Sequence, residues 1–427
     1  MNMKSLFVPL ALAFSVTCLA KNPTASGLAG DWSGQLDVMG QKLTLVFHLS
    51  QEADSAWTAT LDVPEQGAKG VAASLKSADL SAVAIEVSAI GAKFEGALSR
   101  GVLKGNFLQA GMKFPLELTQ KALSVVNRPQ TPIPPFPYAT RDVSFVNSAA
   151  KATFAGTLTY PVGYEVSKSA STPVALLVTG SGPQNRDEEV FDHRPFAVIA
   201  DYFARHGIAT LRYDDRGVGE SKGGLDIEAT TADFADDAAA GIAFLRSLGE
   251  FGKVGVVGHS EGGTIAFMLG SRKAVDFVVS LAGPGASGDK VLLSQLRRQI
   301  KLSPMAALVP DLDEAAKMAY EQTLKTSASA WLNAFVAYDP SADIGTTVCQ
   351  VLALIGSLDS QVIADVNLPP LEKALANNKN AKVIELEGLN HLFQHCKTGA
   401  GEEYYNIEET FSPEALAIMT EWIVGLR

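Results

Sequence analysis

The sequence Gly-His-Ser-Glu-Gly at positions 258–262 constrains the fold more than any other feature of this chain. A short apolar stretch precedes it and predicts a buried strand, and the apolar stretch after it predicts a buried helix. The glycines on both sides of Ser260 remove the Cβ atoms that would clash where a strand turns sharply into a helix. Ser260 would then lie at the N-terminus of the helix, where backbone N–H groups face a developing negative charge. The pattern predicts a nucleophile elbow; the alternative is a glycine-rich turn with an incidental serine.

Two loops further along the chain supply the partners that a nucleophilic serine needs. Asp359 follows one predicted strand, and His391 follows the next. Because the carboxyl ends of parallel strands meet at one edge of a sheet, both side chains are expected beside Ser260. Asp359 would accept the Nδ1–H of His391, and His391 would take the proton of Ser260. Asp365 and His395 are the competing acid and base.

An acyl-transfer serine also needs donors for the oxyanion. The backbone N–H of Glu261 is predicted as one donor. The second is expected in the glycine-rich loop after the apolar run 174–178, at Ser181 or alternatively Gly182. This chemistry needs neither a metal ion nor an organic cofactor.

The rest of the chain predicts an α/β domain preceded by a small all-β domain. Strands and helices alternate over 141–427, which indicates a doubly wound, mostly parallel sheet. A helical segment at about 284–346 interrupts the alternation and predicts a cap over the site. A later helix is predicted at about 369–377. Short strands over 25–120 predict a β-sandwich or barrel, and the proline-rich stretch 121–140 predicts a linker.

The N-terminus predicts export. Lys4 precedes an apolar run that ends in small residues, which is typical of a signal peptide over 1–20 with cleavage after Ala20. The mature protein is therefore expected in the periplasm or secreted. A lipoprotein anchored through Cys18 and an uncleaved anchor are the alternatives. No later stretch of the sequence is long and apolar enough to span a bilayer.

Composition limits the partners of this protein. The net charge of −11 argues against a general nucleic-acid binder and gives no attraction to an anionic membrane surface. After cleavage, Cys349 and Cys396 remain, and they either pair across a long loop or stay as separate thiols. Neither cysteine has the spacing of a metal cluster. The sequence gives no indication of oligomeric state.

Five motifs together resemble the α/β-hydrolase superfamily, and within it bacterial esterases and serine-aminopeptidase-like hydrolases. They are Gly-Ser-Gly-Pro-Gln with Arg-Asp-Glu at 180–188, Asp-Arg-Gly-Val-Gly-Glu-Ser at 215–221, Gly-His-Ser-Glu-Gly-Gly at 258–263, Gly-Ser-Leu-Asp at 356–359 and Asn-His-Leu-Phe-Gln at 390–394. The resemblance implies a triad of Ser260, Asp359 and His391, with oxyanion donors at Ser181 and Glu261.

The resemblance covers about 141–427 and leaves the N-terminal β-domain outside it. Many relatives carry Asp where this chain has Asn185. The implied function is that of an exported serine carboxylesterase for small or medium acyl esters, acting on a small-molecule substrate. A serine aminopeptidase or acyltransferase on the same triad is the alternative. A non-catalytic binding protein on a hydrolase fold is the third hypothesis.

Overall fold

A computed structural model describes residues 25–38, 41–51, 56–120, 126–223, 228–303 and 306–426. The predicted signal peptide, with Cys18, lies outside the described residues. The chain forms two compact units, an N-terminal one built from strands and a C-terminal one built from strands and helices.

The N-terminal unit is a closed barrel of eight strands. In order around the barrel these are β1 (Gly30–Val38), β2 (Gln41–Gln51), β3 (Trp57–Val63), β4 (Ala68–Asp79), β5 (Ala82–Val87), β6 (Ala92–Ser99), β7 (Val102–Gln109) and β8 (Met112–Thr119). Strand β1 pairs antiparallel with β8, where Ser33 lies opposite Thr119. Closure leaves no open sheet edge among the described strands of this unit.

Alternating burial explains why these segments form strands. In β5, Val83, Ile85 and Val87 are buried, and the residues between them are half-buried. This period of two points one side of each strand into the barrel, as the sequence predicted. Near the N-terminal end of β1, the buried Trp32 donates its indole N–H to the carbonyl oxygen of Leu28 at 2.8 Å.

The C-terminal unit contains one eight-stranded sheet in the order β16-β15-β14-β13-β11-β12-β10-β9. Its strands are β9 (Thr140–Asn147), β10 (Ala152–Thr159), β11 (Val174–Val178), β12 (Ala209–Tyr213), β13 (Val254–His259), β14 (Phe277–Leu281), β15 (Gln350–Gly356) and β16 (Ala381–Leu386). The six strands from β11 to β16 are parallel, β10 pairs antiparallel with β12, and β9 pairs antiparallel with β10 at the edge of the sheet. The prediction of a mostly parallel sheet with a small all-β domain is confirmed.

Helices cover both faces of this sheet. They are α1 (Pro195–Arg205), α2 (Thr231–Leu248), α3 (Glu261–Ser271), α4 (Gly288–Leu302), α5 (Leu312–Thr326), α6 (Ala330–Ala337), α7 (Ser341–Thr346), α8 (Ala364–Leu375), α9 (Gly401–Tyr404) and α10 (Pro413–Val424). Alternate residues of β11 enter two different cores. Val174 and Leu176 belong to the core that also contains residues of α2 and α3, whereas Ala175 and Leu177 belong to the core that also contains residues of α1 and α10. Burial on both faces explains the continuous apolar runs of the parallel strands.

Helices α4 to α7 lie between β14 and β15 in the chain, in the segment predicted as a cap. The start predicted for α8 was wrong, because the helix begins at Ala364 and contains Pro369 and Pro370. Its first turns are held by tertiary contacts: the buried Asn367 side chain accepts hydrogen bonds from two backbone N–H groups of the β14–α4 loop, both at 3.1 Å. Such contacts outweigh the local preference of proline for the first turn. In the part of the chain that the structure describes, no helix has the length and apolarity to cross a membrane.

Candidate active site

Ser260 lies in a tight turn between β13 and α3. Its backbone has φ 53° and ψ −117°, in the left-handed half of conformational space that non-glycine residues rarely adopt. A Cβ on Gly258 would come within 1.9 Å of the Gly262 carbonyl oxygen, and a Cβ on Gly262 within 2.2 Å of the Val178 carbonyl oxygen. Both positions therefore require glycine, which is the physical reason for the pattern around the serine.

His391 and Asp359 meet beside this turn. The Nδ1 atom of His391 lies 2.8 Å from Oδ2 of Asp359, and the two side chains are 4% and 0% exposed. The other carboxylate oxygen accepts the backbone N–H groups of Gln361 and Val362 at 2.8 and 2.9 Å. Because both oxygens are held, the carboxylate can fix the orientation and tautomer of the imidazole.

The structure does not bring the competing acid and base into this arrangement. Asp365 lies exposed in the first turn of α8. His395 lies at the surface, where its Nδ1 is 2.8 Å from Oε1 of Glu409.

One cavity of 440 Å³ gathers the predicted site residues. Its lining includes Ser260, His391, Ser181 and Glu261. Their loops follow β11, β13 and β16, at the carboxyl edge of the parallel strands. A serine that lines one cavity with an imidazole oriented by a carboxylate belongs to the set of groups that nucleophilic acyl transfer requires.

A second histidine–carboxylate pair lies behind the predicted triad. Oε1 of Glu188 accepts the backbone N–H of Gly180 at 2.8 Å and faces Nδ1 of His259 at 2.9 Å. The other ring nitrogen of His259 lies 2.9 Å from the carbonyl oxygen of His391. Glu188 itself has φ 52°, a conformation that costs energy in any residue but glycine. The pair therefore connects the loop after β11, in which the oxyanion donor Ser181 is predicted and which is called here the oxyanion loop, with the loop that carries His391.

The hydrogen-bond partners and the charge beside His259 favour its protonated form. A carbonyl oxygen only accepts, so Nε2 of His259 must carry a hydrogen. Burial lowers the pKa of His259, but the Glu188 charge and the hydrogen bonds raise it more, so that the net pKa lies above the usual histidine value. The local sequence around His259 does not predict this charge, because Glu188 lies 71 positions away.

A second cavity, of 420 Å³, adjoins the first and is called here the apolar chamber. Its walls include the side chains of Phe154, Tyr213, Phe234 and Ile265. Gly180, Ser181, Glu261 and Trp331 line both this chamber and the cavity that holds Ser260. Sequence reasoning did not identify Trp331, although it is the single tryptophan of the predicted cap segment.

Ionisable residues at the wall of the chamber form hydrogen bonds or ion pairs with other residues of the protein. Asp215 accepts the backbone N–H of Gln184 at 2.9 Å and lies 3.2 Å from the hydroxyl of Thr179. Burial raises the pKa of Asp215 to about 7. Arg216 forms an ion pair with Asp237. From the sequence alone, this turn stands out only as part of a family motif.

Among the residues that the structure describes, no group of three or more His, Cys, Asp or Glu side chains is arranged to hold a metal ion. Cys349 and Cys396 are free thiols. Burial raises the pKa of each thiol to about 11.

Comparison with known proteins identifies the family. A sequence model of the Alpha/beta hydrolase family matches residues 175–396, just over half of the chain, so the protein belongs to this family. The resemblance inferred from the motifs is thereby confirmed. Over 246 residues, the chain is 26% identical to esterase EstD of Thermotoga maritima; the match covers 56% of this chain and 57% of the length of that relative.

Two solved structures are similar to part of this chain. Esterase Pf2001 of Pyrococcus furiosus is 17% identical, with a TM-score of 0.47, over 71% of this chain and 98% of that chain. Est1E from Butyrivibrio proteoclasticus is 16% identical, with a TM-score of 0.40, over 66% of this chain and 98% of that chain.

Proposed function

We propose that this protein is an exported serine carboxylesterase that cleaves small or medium acyl esters through Ser260, His391 and Asp359. The observation that carries the proposal is the buried hydrogen bond between His391 and Asp359, at 2.8 Å, on the cavity that Ser260 also lines. The name of the relative EstD, an esterase, supports the same bond type. Export rests on the signal-peptide pattern of the sequence.

In the acylation step, Nε2 of His391 removes the proton of the Ser260 hydroxyl as its oxygen attacks the ester carbonyl. Asp359 stabilises the imidazolium that forms. The tetrahedral oxyanion accepts hydrogen bonds from the backbone N–H groups of Ser181 and Glu261. His391 then returns its proton to the alcohol oxygen as the C–O bond breaks, which leaves an acyl-enzyme on Ser260.

Deacylation repeats these steps with water. His391 removes a proton from a water molecule, the hydroxide attacks the acyl-enzyme, and the serine oxygen leaves with the proton. The N–H of Gly180 is already bound to Glu188, so the oxyanion donor from this loop is expected at the next residue, Ser181.

The test compares hydrolysis of p-nitrophenyl acetate, butyrate and octanoate by the mature protein and by Ser260→Ala. We expect the variant to lose essentially all activity. Equal activity in both proteins would remove Ser260 from the mechanism. Faster cleavage of aminoacyl anilides than of esters would favour the aminopeptidase alternative, and product formation with an added acceptor alcohol would favour acyl transfer. Inactivity on all of these substrates would favour an enzyme with a narrow substrate range.

A further inference from the structure

The two cavities differ in which of the proposed catalytic residues line them. The lining of the apolar chamber includes the oxyanion loop and Glu261, and its described walls include neither Ser260 nor His391. The neighbouring cavity contains both of those residues. A volume of 420 Å³ lies within the range of about 300–1,000 Å³ that is usual for small-molecule sites.

The direction of proton transfer indicates which cavity binds the alcohol of an ester and which binds its acyl group. His391 must protonate the oxygen of the departing alcohol, so the alcohol lies on the side of His391. The acyl group is bound on the opposite side of the carbonyl carbon. The oxyanion donors Ser181 and Glu261 belong to both cavities, so a carbonyl held by them can direct its acyl group into the chamber.

The cap residue Trp331 stands at the boundary of the two cavities. Its indole N–H donates to Oε1 of Glu261 at 2.8 Å, and its ring stacks on Phe335 with centroids 5.5 Å apart. The same carboxylate oxygen accepts the hydroxyl of Thr231 at 2.6 Å, and Glu261 is 4% exposed. These contacts fix the indole over the residue that follows the nucleophile.

We propose that the apolar chamber is the acyl-binding site and that Trp331, as a specificity-determining residue, sets the width of its mouth. The proposal rests on the proposed esterase function and narrows the substrate class to esters of uncharged, apolar acids. Aromatic and aliphatic walls stabilise such a group by removing its surface from water. In the same wall, Asp237 is paired with Arg216 within the protein, so the aromatic and aliphatic side chains supply the surface that an acyl group contacts.

The first test fills the chamber with Ala229→Phe. Ala229 is a buried residue of the chamber wall, and Ala232, three residues later, is exposed and serves as the matched control with Ala232→Phe. Each methylene buried in the wild type should raise kcat/KM by up to about fourfold. We expect Ala229→Phe to lower the octanoate-to-acetate ratio of kcat/KM at least tenfold, whereas Ala232→Phe keeps the wild-type ratio. An unchanged ratio in Ala229→Phe would overturn the proposal, as would an equal loss on all three esters.

The second test widens the mouth with Trp331→Ala. We expect the kcat/KM for p-nitrophenyl pivalate or benzoate to rise at least fivefold relative to butyrate. Unchanged selectivity in this variant would remove Trp331 from the proposal.

A failure of the esterase function itself can be recognised separately, because the wild type would then cleave none of the esters. In that case, calorimetric titration of octanoic acid into the wild type and into Ala229→Phe still tests whether the chamber binds an acyl chain. At least tenfold weaker binding to the variant would support it. Equal binding to both proteins, or binding to neither, would overturn it.

Discussion

The buried pair of Glu188 and His259 predicts a pH-dependent cost of the substitution Glu188→Gln. The side chains of both residues are more than nine-tenths buried, and Glu188 holds both Gly180 and His259. Glutamine keeps the shape and one acceptor oxygen but removes the negative charge. His259 would then be a buried cation without its counter-ion, and it would lose a proton and with it one of its two hydrogen bonds.

The magnitude follows from burial. Removing one partner of a buried ion pair costs about 3–5 kcal/mol, and we expect about 3 kcal/mol here because glutamine preserves the packing. The pKa of His259 is raised in the folded protein, so its contribution to stability is fully present below the usual histidine pKa. That contribution is lost as the pH rises through the raised folded value. The cost of Glu188→Gln should therefore be larger at pH 6 than at pH 9.

The assay is urea unfolding of the full chain at pH 6 and pH 9, followed by tryptophan fluorescence and by loss of activity. Glu409→Gln is the matched control, because Glu409 pairs with His395 at the same kind of distance, 2.8 Å, but at the surface. An exposed pair contributes at most about 1 kcal/mol, so the control should change stability little at either pH.

Two results would refute this reasoning. A loss in Glu188→Gln that is the same at pH 6 and pH 9 would mean that His259 is not charged in the folded protein. A loss no larger than that of Glu409→Gln would mean that burial does not strengthen the pair.

Three further predictions concern single positions. Asp359→Asn should lower kcat by roughly 10³–10⁴ with unchanged circular dichroism, because His391 loses the carboxylate that orients it; a loss below tenfold would contradict this role. Asp215→Asn should reduce the fall in stability between pH 4 and pH 7, because the folded protein keeps a proton on this carboxyl, with its pKa of about 7, that the unfolded chain releases. Asp215 contributes at most about 4 kcal/mol to this change in the free energy of unfolding. If the urea midpoint of the variant depends on pH as steeply as that of the wild type, the prediction is contradicted. Gly262→Ala should cost about 3 kcal/mol by urea unfolding, because its Cβ would come within 2.2 Å of a β11 carbonyl oxygen; Gly401→Ala, which meets open space, is the control, and equal losses would contradict the steric argument.

Local sequence patterns predicted the α/β fold and indicated which residues would lie together at one edge of the sheet. Strands buried on both faces leave continuous apolar runs, so their carboxyl ends can be located from the sequence alone. Ser260 and Asp359 each follow such a run, whereas His391 follows the more polar edge strand β16. Parallel topology then requires all three residues to share an edge. The roles assigned to these three residues stay predictions.

Long-range contacts could not be predicted in the same way. Glu188 and His259 are 71 positions apart, and Glu261 and Trp331 are 70 apart. No periodicity relates residues at such separations, because their contact depends on how loops and the cap fold onto the sheet. The start of α8 was predicted wrongly for the same reason, since it is fixed by contacts of Asn367 with another segment.

The assembly of this site from distant loops also affects how the chain acquires activity. The carbonyl of His391 is held by a ring 132 positions earlier, and this contact can form only after β15 and β16 have joined the sheet. Contacts of such high sequence separation form late and slow folding, since a long loop must close before they contribute stability. A shortened chain that ends before β16 would retain the elbow but have no base beside it. Recovery of turnover during refolding should therefore lag behind recovery of helical signal, and would report completion of the sheet.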